Sequence, residues 1–220
     1  MSLTSEQVAQ LRAAMAAYNF PATYYDFAQQ TECVVQGMPE VERYIHALLT
    51  SPVAQDVENG LANIVFWGNA NAGYQMHRVM KFKQGVTAQQ VQAFQALVRQ
   101  AQVPGLDAIK KLGMPQFSGI SFISKITAFL NPAQCGVLDL LIARMRRDGG
   151  PKALNTLRFH SAITPTAVNC AAYAGWCAEC QAISQQYLGG QPRVVDVERG
   201  FFYLIQNGQL EVARAIYEAA

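Results

Sequence analysis

Gly, Pro and capping residues cut this chain into segments whose apolar residues recur at helical spacing, and none shows the sustained alternation of a half-buried strand. That pattern restricts the fold to packed helices. Thr4 with Gln7, and Thr87 with Gln90, have the spacing of a capping box, in which the first and fourth residues satisfy each other's backbone amides. They predict helices over residues 4–18 and 87–102. Pro39 opens a helix reaching Leu49, Ser51-Pro52 starts one running towards Trp67, and another spans residues 74–82. Residues 68–73 read as a flexible connection. A short helix ends at Leu112; Thr164-Pro165 caps the longest one, which runs to Leu188 and stops at Gly189-Gly190. Two more helices, 194–206 and 209–219, are parted by Asn207-Gly208. The irregular stretch 19–38 is where a strand is expected. About ten helices with short connections make an all-α domain.

The chemistry concentrates in residues 112–147, read as helix, tight Gly-containing turn, helix, short loop, helix. Lys125 lies among Ile120, Phe122, Ile123, Ile126, Phe129 and Leu130. A lysine in apolar surroundings is costly to keep charged, so its pKa is expected to fall. A neutral amine is a nucleophile, which makes Lys125 a candidate Schiff-base lysine. The bland alternative is a snorkelling side chain with its stem on the core and its amine in water. Asp139 begins a second apolar helix (Val137, Leu138, Leu140, Leu141, Ile142). There it serves as an N-cap or first-turn acid, and a carboxylate so held can orient an amine or stabilise a cation.

Phe117-Ser118-Gly119-Ile120-Ser121 resembles the hairpin of helix-hairpin-helix DNA glycosylases, usually Leu-Pro-Gly-Val-Gly; here the Pro is missing and Ser121 replaces the second Gly. The run SFISKITAFLNP followed by GVLD is similar to the bacterial 8-oxoguanine DNA glycosylase-like proteins, and the likeness extends loosely to residues 61–82 and 196–202. In the lysine-bearing branch of that superfamily a catalytic Lys follows the hairpin and a catalytic Asp follows a short loop, the order of Lys125 and Asp139. The resemblance implies one domain over residues 1–220 with two helical lobes and a cleft between them. The middle lobe, roughly 60–152, carries the hairpin; N- and C-terminal helices form the other. It further implies a base-excision repair glycosylase with AP lyase activity on duplex DNA holding an oxidised purine. The alternative is a catalytically inactive DNA- or protein-binding module on the same scaffold. Ser118, Gly119 and Ser121 would meet a phosphate, with Gly119 free to take positive φ.

Charge is placed unevenly. Residues 61–152 hold eleven bases against three acids, although the net charge of the chain is only +2. A basic block around the hairpin suits phosphates, and Arg146 and Arg147 are its candidate DNA contacts. Phe66, Trp67 and Tyr74 are candidates for lining a flipped-base pocket, against the commoner role of aromatics in a core. Cys170, Cys177 and Cys180 have the spacing of the first three ligands of an iron–sulfur loop, but Gln186 stands where the fourth is due. They also share one helical face, where free thiols pack as small hydrophobes. His77 and His160 lack metal-ligand spacing, so neither a metal nor a cofactor is expected. No apolar run approaches the ~20 residues of a membrane span, and the N-terminus lacks a basic signal region. These readings favour a cytoplasmic protein without a membrane partner.

Overall fold

The computed structural model describes residues 2–220. It is all-α apart from one two-stranded sheet, with ten α-helices among the described residues. In chain order the elements are α1 (Ser5–Ala17), β1 (Thr23–Asp26), β2 (Thr31–Val34), α2 (Met38–Leu49), α3 (Ala54–Gly68), α4 (Gln75–Gly85), α5 (Ala88–Ala101), α6 (Leu106–Lys111) and α7 (Ile120–Leu130). Two 3-10 turns, Ile142–Met145 and Ala153–Thr156, precede α8 (Ala167–Tyr187), α9 (Val194–Gln206) and α10 (Leu210–Ala219). Both capping boxes form, at Thr4–Gln7 and Thr87–Gln90. The long helix starts later than Thr164-Pro165 suggests: the Thr166 side chain accepts from the Asn169 amide and is its N-cap.

The chain divides into two compact units, Phe20–Leu130 and the N-terminal residues to Asn19 joined with Asn131–Ala220. In the first, α3 is the central post, with Leu61, Ile64 and Val65 fully buried and α2, α4, α5 and α7 around it. The strand pair falls inside the irregular stretch. β1 and β2 run antiparallel with Thr23 opposite Val34 and Asp26 opposite Thr31. The turn between them lacks Gly: Asp26 Oδ1 accepts from the amides of Ala28 and Gln29, and Gln30 takes φ 52°. Buried Asn63 of α3 fixes β1, accepting from the Tyr25 amide at 2.7 Å and donating to its carbonyl at 3.1 Å.

In the second unit α1 packs on α9, and Trp176 of α8, Phe201 of α9 and Tyr217 of α10 form an aromatic core with ring centroids 5.4–6.1 Å apart. Residues 135–139 are irregular, and where a helix beginning at Asp139 was expected only Ile142–Met145 coils. The reason is in α8. The Tyr173 hydroxyl donates to the Gly136 carbonyl at 3.0 Å, Trp176 Nε1 to the Val137 carbonyl at 3.2 Å, and the Gly136 amide to Cys177 Sγ at 3.5 Å. Side chains thus satisfy backbone groups that a helix would otherwise have paired.

Gly175 lets α8 meet the turn Ala153–Thr156 closely: a Cβ there would lie 2.6 Å from the Ala153 Cβ, which no rotamer can move. Gly175→Val is expected to destabilise the protein by about 1–3 kcal/mol through overpacking, read as a lower urea midpoint with helical circular dichroism retained.

Candidate functional site

The turn before α7 is built on Phe117, which is buried and meets Phe82 edge-on at 5.7 Å. Gln90 Nε2 donates to the Leu112 carbonyl at 3.0 Å, tying the turn to α5. Its left-handed residues include Gly113 (φ 64°) and Gln116 (φ 70°), which turn the chain ahead of Gly119. The Gly119 carbonyl accepts from the Ile123 amide at 3.2 Å, so Gly119 stands just before α7. Ser118 is exposed, and Gly119 and Ser121 are partly so.

Lys125 is 6% exposed. Its Nζ folds back on the first turn of α7, donating to the Ser121 carbonyl at 3.0 Å and to Ser121 Oγ at 3.4 Å. The amine also stands 5.0 Å from the centre of the Phe122 ring. The snorkelling alternative does not describe this side chain. Its stem crosses Gly68 at the end of α3, where an added Cβ would lie 3.1 and 3.2 Å from Lys125 Cδ and Cε and 2.7 Å from Phe122 Cε1. Gly68 therefore leaves the groove that holds the lysine. The sequence hid this role, because Gly68 opens a run that looks like a loose connection; its one signal is a glycine directly after the apolar run Ile64, Val65, Phe66 and Trp67.

Asp139 ends the irregular segment 135–139. Its Oδ1 accepts from the amides of Leu141 at 2.9 Å and Ile142 at 3.0 Å, so it caps the following turn, and Oδ2 carries none of that capping. Burial raises the pKa of the Tyr18 hydroxyl; the Arg199 guanidinium, 5.4 Å from its ring, opposes the rise, and the carboxylates of Glu198 and Asp139 add to it. Lys125 and Asp139 belong to different units.

Arg146 Nη1 donates to the Leu157 carbonyl at 3.0 Å, Nη2 lies 3.8 Å from Asp148, and its guanidinium sits 5.4 Å from the Phe159 ring. Arg147 pairs with Glu211 at 3.0 Å. Phe66 and Trp67 are core residues. Trp67 Nε1 donates to the Pro21 carbonyl at 3.1 Å, and its ring meets Phe20 and Phe129 edge-on. Tyr74 is the exposed member of that trio, with Arg78 lying 5.3 Å from its ring.

All five cysteines are free thiols. Cys170, Cys177 and Cys180 lie along α8, and no group of metal-ligating side chains occurs among the described residues. Burial pushes the Cys177 thiol up to about 12 and raises Cys180 as well. Neutral thiols of this kind favour folding below the ordinary thiol range, and that contribution is lost as pH rises towards 12. No family model matches the chain, and it matches no curated protein and no solved structure.

Two expected outcomes test this arrangement. At pH 8 a thiol-reactive dye should label the part-exposed Cys33, Cys135 and Cys170 in the native protein, and reach Cys177 and Cys180 only after unfolding. Gly68→Ala should displace the Lys125 stem and the Phe122 ring, seen as movement of the Lys125 Cε resonance while the helical content is kept.

Proposed function

We propose that this chain is a DNA glycosylase with associated lyase activity, acting on an oxidised purine of the 8-oxoguanine kind in duplex DNA. The observation that carries the reading is the buried amine of Lys125, held inside an apolar helix directly after a tight turn. Buried away from water, an amine serves as a nucleophile rather than as a solvated cation. In this reading Nζ attacks C1′ of the deoxyribose. An N–C1′ bond forms as the glycosidic bond breaks, and the purine leaves with the bonding pair and takes up a proton. Opening of the sugar ring gives a Schiff base. Loss of a C2′ proton then expels the 3′ phosphate by β-elimination.

In this reading Asp139 has the second role: its carboxylate, held by two backbone amides, stabilises positive charge on the sugar and helps activate the amine. The first turn of α7 presents backbone amides at Ser118, Gly119 and Ser121 to a phosphate of the same strand. Tyr74 offers an exposed ring to an everted base. Arg147 turns to the DNA backbone at small cost, because a surface ion pair such as that with Glu211 contributes only about 0–1 kcal/mol.

Borohydride tests the mechanism, because it reduces a Schiff base to a stable secondary amine. The wild-type protein is expected to give a covalent adduct with a duplex carrying 8-oxoguanine. Lys125→Gln should abolish the adduct and keep DNA binding, and Asp139→Asn should slow base release while both folding and binding persist. Absence of any adduct with purine lesions, alongside intact duplex binding, would replace the enzyme reading with that of an inactive binding module. Equal trapping by Lys125→Gln would require a different nucleophile.

A further inference from the structure

The loop that joins the turn Ala153–Thr156 to α8 has no part in the reading above, yet it is a built surface. Leu157 and Ile163 are buried at its two ends, and Arg158, His160 and Ser161 between them are exposed. Asn169, fully buried in the first turn of α8, clamps the backbone from below. Its Oδ1 accepts from the Arg158 amide at 2.9 Å, and its Nδ2 donates to the carbonyls of Arg158 at 2.8 Å and Thr164 at 2.9 Å. Arg146 clamps from the side through the Leu157 carbonyl and the Phe159 ring. The loop encloses an open hollow of about 620 Å³, lined by Arg146, Arg158, Phe159, His160, Ser161 and Thr164 among others.

Charge marks what this hollow suits. Residues 140–166 hold five bases (Arg144, Arg146, Arg147, Lys152, Arg158) against one acid, Asp148. The rest of the same unit holds four bases (Arg12, Arg193, Arg199, Arg214) against seven acids (Glu6, Asp139, Glu179, Asp196, Glu198, Glu211, Glu218). The segment is therefore +4 in a unit that is otherwise −3. Within it Arg158 projects a guanidinium from an immobilised backbone, and His160, Ser161 and Thr164 add side chains that can donate hydrogen bonds. Donors fixed in advance lose little freedom on binding, and a guanidinium matches the paired oxygens of a phosphodiester.

We infer that the loop between Leu157 and Pro165 is a second contact for the phosphodiester backbone of duplex DNA, with Arg158 and His160 as the residues that touch phosphate. It is separate from the turn before α7, and it rests on the nucleic-acid part of the proposed function but not on the lysine chemistry. Phe159 and Arg146 are positioning residues: they hold the loop in shape while Arg158 and His160 reach outward.

The test measures binding of a fluorescent undamaged duplex at pH 7 over a series of salt concentrations. Arg158→Ala with His160→Ala removes exposed side chains and leaves the Asn169 clamp, so the fold is kept. This double variant is expected to bind roughly tenfold more weakly, with the slope of log affinity against log salt reduced by about 0.9 for each phosphate no longer neutralised. Arg12→Ala with Arg43→Ala, two exposed bases outside both the loop and the basic block of residues 61–152, is expected to leave affinity and slope near wild type. Equal slopes for wild type and the loop variant would overturn the assignment, and so would an equal loss in the Arg12 and Arg43 control. A wild-type protein that binds through the loop but gives no borohydride adduct would sustain this site and sink the lyase reading. Trapping by wild type with no effect of the loop variant would do the reverse. Absence of any salt-dependent duplex binding would overturn both.

Discussion

The backbone of Gly136 and Val137 depends on α8 for its hydrogen bonds, and the placement of Asp139 follows from that dependence. Both residues are buried, and a buried peptide group left unpaired costs about 1–3 kcal/mol. Tyr173, Trp176 and Cys177 supply the missing partners at successive turns of one helix. The segment then has no need to coil, and it reaches Asp139 without helical hydrogen bonds of its own. The same α8 face presents Cys177 and Cys180 inward, where both thiols pack in the core and that of Cys177 accepts one amide contact.

Lys125 is the corresponding constraint in the other unit. An amine in the middle of α7 is tolerable because the helix offers its own carbonyl, at Ser121, and because α3 ends in a residue without a side chain. The two halves of the proposed chemistry are thus prepared by different means. The lysine is desolvated by packing, while the carboxylate is oriented by capping a turn.

The helices were legible because their signals are local. Thr4, Gln7, Thr87 and Gln90 specify helix starts through side chains within one turn of the residues they cap. Gly189, Gly190 and Gly208 take the positive φ that ends α8 and α9. The strand pair was legible only as irregularity, because its turn is closed by Asp26 and its first strand is fixed by Asn63, 38 residues away from Tyr25. The helix expected to begin at Asp139 shrank to one 3-10 turn for the same reason: its apolar run is compatible with a helix, and the partners that hold the preceding backbone lie about forty residues on, in α8. Of the candidate site, the apolar setting of Lys125 was visible in its own helix. Gly68 and Asn169 act through close approach and backbone clamping, which leave no periodic trace.

The discontinuity of one unit bears on the order in which the protein becomes itself. Residues 20–130 form a continuous run whose internal packing is complete once that run has been synthesised. Helix α1 precedes that run in the chain, yet the helix it packs against, α9, follows it. While the ribosome works through the intervening residues, the apolar face of α1 with Leu11 and Ala14 has no docking partner of its own unit. A helix made before the other unit thus settles after it, and the nascent chain carries an unsatisfied hydrophobic stripe ahead of a finished unit. Protein made to any point between Leu130 and α9 holds one finished unit and one helix waiting for company, a state that invites chaperones or a neighbouring chain to take α9's place.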